Sequence, residues 1–315
     1  MWIAHRLPIA TEGAWMLLTR LVQNRLPFAA SAQACLVFRR RRLRKLRSRR
    51  CGIGLIHMPI IRNLPINLPS AKTQKRIAGV LHSYDKLIEN TRKQIRLLEE
   101  AAQRLYKEWF IDLKFPDHET APINPETNLP KGWRTGQLSE IAELVFGQSP
   151  KSEFYNNSGE GLPFHQGVKG YSDRFVVNET YTSQWKREAK SGSILFSVRA
   201  PVGSINLTKA RIAIGRGLAA INSKYHTQSF LLYLLKEKFY KKDLMGNGSI
   251  YASINSDTLK TIECIIPDIR VIELFEKHVS CIDSEIWTRD EEICRLQEAR
   301  DRLLPKLMSG EIEVI

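Results

Sequence analysis

The residues best suited to functional chemistry lie in Gly-punctuated stretches of the middle of the chain. Arg, Lys, Asn and Gln side chains on loops can hydrogen-bond base edges in the major groove of DNA, while other basic groups hold phosphates. Polar residues of this kind are also common on solvated loops, so the prediction applies to the loops more than to single residues. The candidate DNA-binding residues of these loops are Gln148, Ser149, Lys151, Gln166, Lys169, Arg174, Asn247, Ser249 and Tyr251.

Two further arginines stand out because each is embedded in apolar, turn-rich sequence. Arg199 lies within Val198-Arg199-Ala200-Pro201, and Arg216 lies between Gly215 and Gly217. Each is a candidate for contact with DNA. Each could instead pair internally with a carboxylate or a backbone carbonyl, and the sequence leaves both alternatives open.

Motifs for bond-breaking chemistry are missing from the sequence. It has neither the Asn-Pro-Pro-aromatic loop of an adenine methyltransferase nor a phosphate-binding Gly-x-x-x-x-Gly-Lys-Ser/Thr loop. Pro116-Asp117 with Glu188-Ala189-Lys190 loosely matches a metal nuclease, but such short matches arise by chance. The five cysteines are scattered without Cys-x-x-Cys spacing, which favours a reduced cytoplasm. We therefore expect no catalytic residue, no metal site and no cofactor in this chain.

The positive charge is concentrated at the N-terminus. Of the 48 Lys and Arg residues, twelve lie within residues 1–58 against one acidic residue, Glu12, so this segment supplies most of the net charge of +15. It shows no regular periodicity and is predicted to be disordered or aberrant; a phosphate-binding arm or a targeting segment is the alternative. Since no apolar run approaches about 20 residues, we expect no membrane span.

Two long helices must position the middle of the chain. Apolar residues recur at alternating steps of four and three on both sides of it, which is a heptad pattern. Ser70 can cap the first helix and Pro116 stops it, so about 40 residues, or roughly 60 Å, are expected. The predicted helix-pairing residues are Ile77, Leu81, Tyr84, Ile88, Ile95, Leu98 and Leu105 in the first helix and Phe275, Val279, Ile282, Ile286, Ile293, Leu296 and Leu303 in the second.

The two helices are internal repeats related by a shift of 198 residues. Chance heptads share apolar positions but seldom acidic and basic ones together. The shared positions are Pro69 and Pro267, Asp85 and Asp283, Ile88 and Ile286, Ile95 and Ile293, Leu98 and Leu296, Glu100 and Glu298, Ala101 and Ala299, Arg104 and Arg302, and Leu105 and Leu303. We expect the charged pairs Asp85, Asp283, Arg104 and Arg302 to serve helix pairing or partner docking.

The middle of the chain is predicted to be globular. Short β-rich runs at 193–198 and 261–266 are separated by Gly, Pro, Asn and Ser clusters, and residues 229–240 form an amphipathic helix. The fold class is therefore α+β, with one globular domain flanked by two long helices that form an antiparallel coiled coil. The expected segments are residues 1–58, a remnant strand and the first helix at 59–116, the globular domain at 117–266, and the second helix with a tail at 267–315.

Several motifs resemble those of one family. Leu129-Pro130-Lys131-Gly132-Trp133 followed by Gly147-Gln148-Ser149-Pro150 resembles the entry to a target recognition domain. The run from Gln103 to Asp112 and the segment Leu307-Met308-Ser309-Gly310-Glu311-Ile312 resemble the ends of the family's two long helices. Over roughly residues 60–315 the chain thus resembles the specificity subunit of type I restriction-modification enzymes.

The resemblance implies a non-catalytic subunit that binds double-stranded DNA. In this family two recognition domains each read half of a split target, and the paired helices fix their separation. Only about 58 residues precede the first helix here, so we expect a half-sized or N-terminally truncated subunit, and two copies could pair.

The implied partners carry the chemistry. They are modification subunits with S-adenosylmethionine and a restriction subunit with ATP and Mg, in the cytoplasm. The alternatives are a coiled-coil adaptor that binds protein, or a non-functional remnant of a specificity subunit.

Overall fold

The structure, a computed structural model, describes residues 69–243 and 253–314. The chain divides into two compact units. Of the described residues, 69–95 and 287–314 belong to unit 1, and 96–243 and 253–286 belong to unit 2. Two long helices, α1 (Ala71–Phe110) and α5 (Ile269–Ser309), contribute residues to both units.

Helix α1 has the start and length that the sequence predicts. The Ser70 hydroxyl oxygen accepts a hydrogen bond from the Thr73 backbone N–H at 3.2 Å, which satisfies one of the unpaired donors of the first turn. The helix runs for 40 residues. Its heptad positions Ile77, Leu81 and Ile88 are buried, as the pattern requires.

In unit 1 the start of α1 packs against the end of α5. Ile77 and Leu81 form one apolar cluster with Leu307 and Met308. Farther along, Arg300 Nη1 donates to Asp85 Oδ1 at 2.7 Å, so Asp85 serves helix pairing as expected. The two helices are antiparallel in this unit.

In unit 2 the end of α1 packs against the start of α5. The Phe275 ring lies 5.9, 5.8 and 5.1 Å from the rings of Tyr106, Trp109 and Phe110, respectively. The helices are antiparallel here too, and the predicted antiparallel pair is confirmed. A shift of 198 residues relates Phe275, Trp109 and Phe110 to Ile77, Leu307 and Met308 of the unit 1 cluster.

The other helix-pairing positions differ in burial. Ile95, Val279, Ile286 and Ile293 are buried. Partly buried are Tyr84, Leu98, Leu105, Ile282, Leu296 and Leu303. Arg104 and Arg302 make exposed ion pairs along their own helices, with Glu100 and Glu298.

The globular part of unit 2 contains eleven strands in three sheets among the described residues. A two-stranded sheet pairs β1 (Arg134–Gln137) with β11 (Glu263–Ile266). A four-stranded sheet has the order β2 (Ala142–Phe146), β10 (Leu218–Ser223), β7 (Ile194–Ser197) and β8 (Ile205–Leu207). A five-stranded sheet has the order β3 (Tyr155–Asn156), β5 (Tyr181–Thr182), β4 (Leu162–His165), β9 (Ile212–Ile214) and β6 (Glu188–Ala189).

Short helices and a buried core complete this part of the chain. The helices are α2 (Leu138–Ile141), α3 (Gln228–Asp243) and α4 (Ser256–Lys260). Apolar residues of β6, β7, β9 and β10 form one core cluster between the two larger sheets. The helix predicted at 229–240 is α3, but it is not amphipathic, because every residue from Ser229 to Leu235 is buried. The predicted strands are β7 and β11, so the α+β class is confirmed.

Unit 2 extends beyond residues 117–266 because aromatic residues of the long helices pack onto the globular part. Phe110 contacts both Trp133 and Phe230, with ring centroids 5.8 and 4.9 Å away.

Within the described part of the chain, no helix is long and apolar enough to cross a membrane.

Candidate nucleic-acid interface

Three of the candidate loops meet at one edge of the sheets because of strand direction. Strand β4 is parallel to β9, with Phe164 opposite Ala213 and His165 opposite Ile214, so both strands leave their sheet at the same edge. Gln166 follows β4 at this edge, and the turn Gly215–Gly217 follows β9. The Gly215 N–H donates to the His165 carbonyl oxygen at 2.8 Å and joins the two loops.

The third loop reaches the same edge through an antiparallel pair. Strand β2 ends opposite the start of β10, with Phe146 paired to Ala219. The Gln148 N–H then donates to the Ile214 carbonyl oxygen at 3.0 Å. We call residues 147–151, 166–169 and 215–217 the loop cluster.

Glycine is required for these loops to approach so closely. A Cβ atom added at Gly147 would lie 2.2 Å from the Gly215 carbonyl oxygen. One added at Gly215 would lie 2.7 Å from Gln166 Oε1, and one at Gly217 would lie 2.5 Å from the Gln166 carbonyl oxygen. Since real Cβ atoms do not come this near to backbone atoms, side chains at these positions would separate the loops.

Side-chain bonds hold the loop cluster together. The Ser149 hydroxyl donates to Gln166 Oε1 at 2.8 Å and accepts from the Arg216 backbone N–H at 3.1 Å. The side-chain oxygen of Gln166, Oε1, thus accepts from Ser149, and the side-chain NH₂ group of Gln166 can donate to another acceptor. Gln148 and Gln166 are both exposed.

The side chain of Arg216 projects from the centre of the loop cluster. Arg216 is exposed, whereas Gly215 and Gly217 on either side of it are buried. A guanidinium group at the tip of a rigid turn can donate two parallel hydrogen bonds to the O6 and N7 atoms of guanine or to a phosphate.

Arg199 lies at the same edge. It follows β7, which pairs with β10, and the preceding Val198 N–H donates to the Gly217 carbonyl oxygen at 2.9 Å. Arg199 is exposed, and its backbone bridges to Ser253. Arg199 and Arg216 therefore occupy neighbouring turns.

Two candidate lysines of the loop cluster are exposed. Lys169 borders a cavity of about 210 Å³ that is also lined by Tyr155, Phe164 and Gln166. Lys151 lies 3.7 Å from Glu153, so part of its charge is already compensated. Lys169 is therefore the better placed of the two to hold a phosphate.

Arg174 does not belong to this surface, and its prediction as a DNA-binding residue is corrected. Its side chain is 3% exposed. Nη1 donates to Glu99 Oε1 at 2.7 Å, and Nη2 donates to Asp283 Oδ1 at 2.5 Å. A guanidinium group that is buried and bound to two carboxylates cannot reach a base edge.

The groups around Arg174 form an ionic network, which we define as Arg174, Glu99, Asp283, Tyr233 and Lys236. The Tyr233 hydroxyl accepts from Arg174 Nη1 at 3.2 Å and donates to Asp283 Oδ1 at 2.8 Å. Lys236 Nζ donates to Glu99 Oε1 at 2.7 Å. Asp283 thus binds the globular part of unit 2 rather than the partner helix, contrary to our expectation for it.

Burial and neighbouring charges shift the pKa values of three groups of the ionic network. Burial acts to raise the pKa of Glu99, but Lys236 and Arg174 outweigh it and hold that pKa below its ordinary value. Burial acts to lower the pKa of Arg174, and Tyr233, Asp283 and Glu99 raise it instead. Burial lowers the pKa of Lys236 more than Glu99 restores it. Two basic and two acidic side chains thus face one another, with Arg174 buried and the other three partly exposed.

A second carboxylate of α5 fixes the start of α3. Glu276 Oε1 and Oε2 accept from the backbone N–H groups of Ser229 and Phe230, each at 3.0 Å. Burial raises the pKa of Glu276 although both N–H groups oppose it. No local sequence signal indicates the roles of Glu99, Lys236 and Glu276, because their partners lie far away along the chain.

Some expectations are not addressed by this geometry. Asn247, Ser249 and Tyr251 lie outside the described residues, as does the segment 1–58. Glu188, part of the loose nuclease match, receives a hydrogen bond from Arg211 at 2.6 Å. Among the residues that the structure describes, no three His, Cys, Asp or Glu side chains are grouped so that they could hold a metal ion.

Comparison with known proteins decides the family. Residues 34–100 and 130–293 match the family described as Type I restriction modification DNA specificity domain. The chain belongs to this family. The resemblance that the motifs indicated is thus confirmed for the specificity family.

Among curated relatives, the chain is similar to the type I restriction enzyme MjaIX specificity subunit of Methanocaldococcus jannaschii, with 31% identity over 81% of this chain and 62% of that protein. It is also similar to the HindI specificity subunit of Haemophilus influenzae, with 26% identity over 80% of this chain and 70% of that protein. The chain spans 62% of the length of two M. jannaschii relatives that it matches.

The fold is shared with a solved member of the specificity family. The crystal structure of a type I restriction-modification system S subunit from M. genitalium matches with a TM-score of 0.52 and 17% identity, over 76% of this chain and 61% of that chain. This likeness supports the fold alone.

Proposed function

We propose that this chain gives sequence specificity to a type I restriction-modification complex by binding double-stranded DNA. The observation that carries the proposal is the loop cluster, in which exposed Gln148, Gln166 and Arg216 converge on one edge of the globular domain. Amide and guanidinium donors held on a rigid scaffold are the groups that read base edges. We refer below to the globular part of unit 2 as the recognition domain.

Catalysis belongs to partner subunits in this proposal. Modification subunits would supply S-adenosylmethionine and methylate the DNA, and a restriction subunit would supply ATP-driven translocation and Mg-dependent cleavage. The specificity subunit would place their active sites at the target. Such a complex would work on DNA in the cytoplasm.

Two copies of the chain are proposed to pair through their helices. A second copy would add another recognition domain, and a two-fold axis would make the split target palindromic. The repeat between the two helices supports this proposal. Residues related by a shift of 198 positions form contacts between α1 and α5 in unit 1 and again in unit 2. The mass of the purified chain, alone and with modification subunits, tests the pairing; a single copy in both samples would contradict it.

Methylation mapping tests the specificity role. The chain is purified with its cognate modification subunits, and methylated positions in genomic DNA are mapped with and without it. We expect methylation at a defined split motif only when the chain is present, and a palindromic motif if two copies pair. A folded complex that leaves DNA unmethylated would contradict the proposal and favour a protein-binding adaptor or a non-functional remnant.

A further inference from the structure

The ionic network connects three separate parts of unit 2. Glu99 belongs to α1, Asp283 belongs to α5, and Arg174 belongs to a loop of the recognition domain. Arg174 contacts both carboxylates at once, at 2.7 and 2.5 Å. One side chain of the recognition domain thus binds both long helices.

This arrangement tolerates little variation in angle. A guanidinium group is planar and its donors diverge in fixed directions, so both carboxylates can be bound only in one relative placement of loop and helices. The Tyr233 hydroxyl adds a further constraint, since it accepts from Arg174 and donates to Asp283. Removing one partner of a buried ion pair leaves an uncompensated charge, so departures from this arrangement are costly.

The loop that carries Arg174 also carries part of the loop cluster. Seven residues lie between Gln166 and Arg174, and this stretch is tied to the four-stranded sheet. The Tyr171 hydroxyl donates to the Leu195 carbonyl oxygen at 3.1 Å, and the Leu207 N–H donates to the Arg174 carbonyl oxygen at 2.9 Å. Any tilt of the recognition domain against the helices therefore moves the DNA-reading loops.

We propose that Arg174 is a positioning residue that fixes the angle of the recognition domain on the helix pair, and thereby the number of base pairs allowed between the two halves of the target. The inference rests on the proposed function. Successive base pairs are about 3.4 Å apart along the DNA axis. A tilt that displaces the loop cluster by this distance brings a spacer one base pair longer or shorter within reach.

The experiment uses complexes of the full chain with its modification subunits. The substrate is a DNA library in which the two half-targets are separated by every spacer within three base pairs of the native length. Three variants weaken the ionic network while keeping its bulk: Tyr233→Phe, Asp283→Asn and Arg174→Lys. The matched control is Arg211→Lys, because Arg211 also binds a carboxylate, Glu188, but at an exposed site. Circular dichroism confirms folding, and sequencing reports methylation at each spacer.

We expect wild type and Arg211→Lys to methylate one spacer length. For Asp283→Asn and Arg174→Lys, methylation of spacers one base pair away should rise about tenfold relative to the native spacer, with the bases of each half-target unchanged. Tyr233→Phe, which loses one hydroxyl, should show a smaller change in the same direction.

Two results would overturn the inference alone. One is an unchanged spacer profile in all three folded variants next to an active wild type, which would make Arg174 a stabilising residue only. The other is a change in the bases of the half-target without a change in spacer. If the wild-type complex methylates no split motif, the proposed function itself fails and the inference fails with it.

Discussion

The Ser149 hydroxyl joins Gln166 to Arg216, donating to Gln166 Oε1 at 2.8 Å and accepting from the Arg216 backbone N–H at 3.1 Å. These residues come from three loops that follow β2, β4 and β9. Because one hydroxyl fixes all three loops, their outward-facing donors are preorganised and lose little conformational entropy when DNA binds.

Arg216→Ala should weaken binding to the target more than binding to unrelated DNA. A bidentate arginine contact contributes about 1–3 kcal/mol of discrimination, so the affinity for the cognate sequence should fall about 5- to 150-fold while non-specific affinity changes little. Fluorescence anisotropy at one fixed salt concentration, with cognate and scrambled duplexes, measures both affinities.

Arg211→Ala is the matched control for this measurement. Arg211 is also exposed but precedes β9, at the strand end opposite the loop cluster, and donates to Glu188 at 2.6 Å. Its removal should leave the ratio of cognate to scrambled affinity unchanged. Equal losses on both duplexes for Arg216→Ala would mean that Arg216 holds a phosphate and reads no base.

Gly215→Ala should open the loop cluster. The added Cβ atom would lie 2.7 Å from Gln166 Oε1 and 2.9 Å from its Cα atom, so the loop after β4 must move. We expect loss of cognate DNA affinity with retention of the folded core, measured by anisotropy and thermal unfolding. Gly79→Ala is the control, because a Cβ atom at Gly79 meets nothing within 4 Å in α1. It should leave binding unchanged and stabilise the helix by up to about 1 kcal/mol.

The sequence predicted the long helices better than any other feature. Heptad spacing is local information, and Ile77, Leu81, Phe275 and Ile286 are buried where that spacing requires. The loops were predicted from glycines interspersed with polar residues. That β4 and β9 are parallel neighbours, which brings Gln166 beside Gly215, is non-local and could not be read from the pattern.

Arg174 shows why individual site residues are harder to predict than loops. Its stretch contains Gly and Ser like the other candidate loops, so exposure was the natural expectation. Its partners are 75 and 109 residues away on two helices. A buried ion pair between distant residues leaves no local signature, because each partner alone resembles a solvated charge.

Lys169→Ala should lower the salt dependence of DNA binding without changing the preferred sequence. Each phosphate that a lysine neutralises contributes about −0.9 to the slope of log affinity against log salt concentration. Removal of the exposed Lys169 side chain should therefore reduce the magnitude of this slope by about 1. Lys151→Ala serves as the comparison and should have a smaller effect, since Lys151 is paired with Glu153. An unchanged slope for Lys169→Ala would place Lys169 away from the DNA backbone.

Lowering the pH should destabilise unit 2, because the Glu99 carboxylate becomes protonated. The pKa of this carboxyl group is held below its ordinary value of 4.5, because Lys236 and Arg174 outweigh the effect of burial. A carboxylate whose pKa is lower in the folded state stabilises that state above its unfolded pKa. The stabilisation is therefore complete above about pH 4.5 and is lost as the pH falls through the folded value.

Glu99→Gln isolates this contribution. The variant should be less stable than wild type by about 3 kcal/mol at neutral pH, because the buried Arg174 and the half-buried Lys236 lose a counter-charge. The difference should shrink as the pH falls from about 4.5 through the lower pKa of folded Glu99, because this side chain then becomes neutral in the wild type too. Urea unfolding across this pH range measures both free energies. Glu100→Gln is the control on the same helix turn, since Glu100 is 60% exposed and lies 4.0 Å from Arg104. A difference between wild type and Glu99→Gln that stays constant with pH would show that the charge of Glu99 does not hold the ionic network.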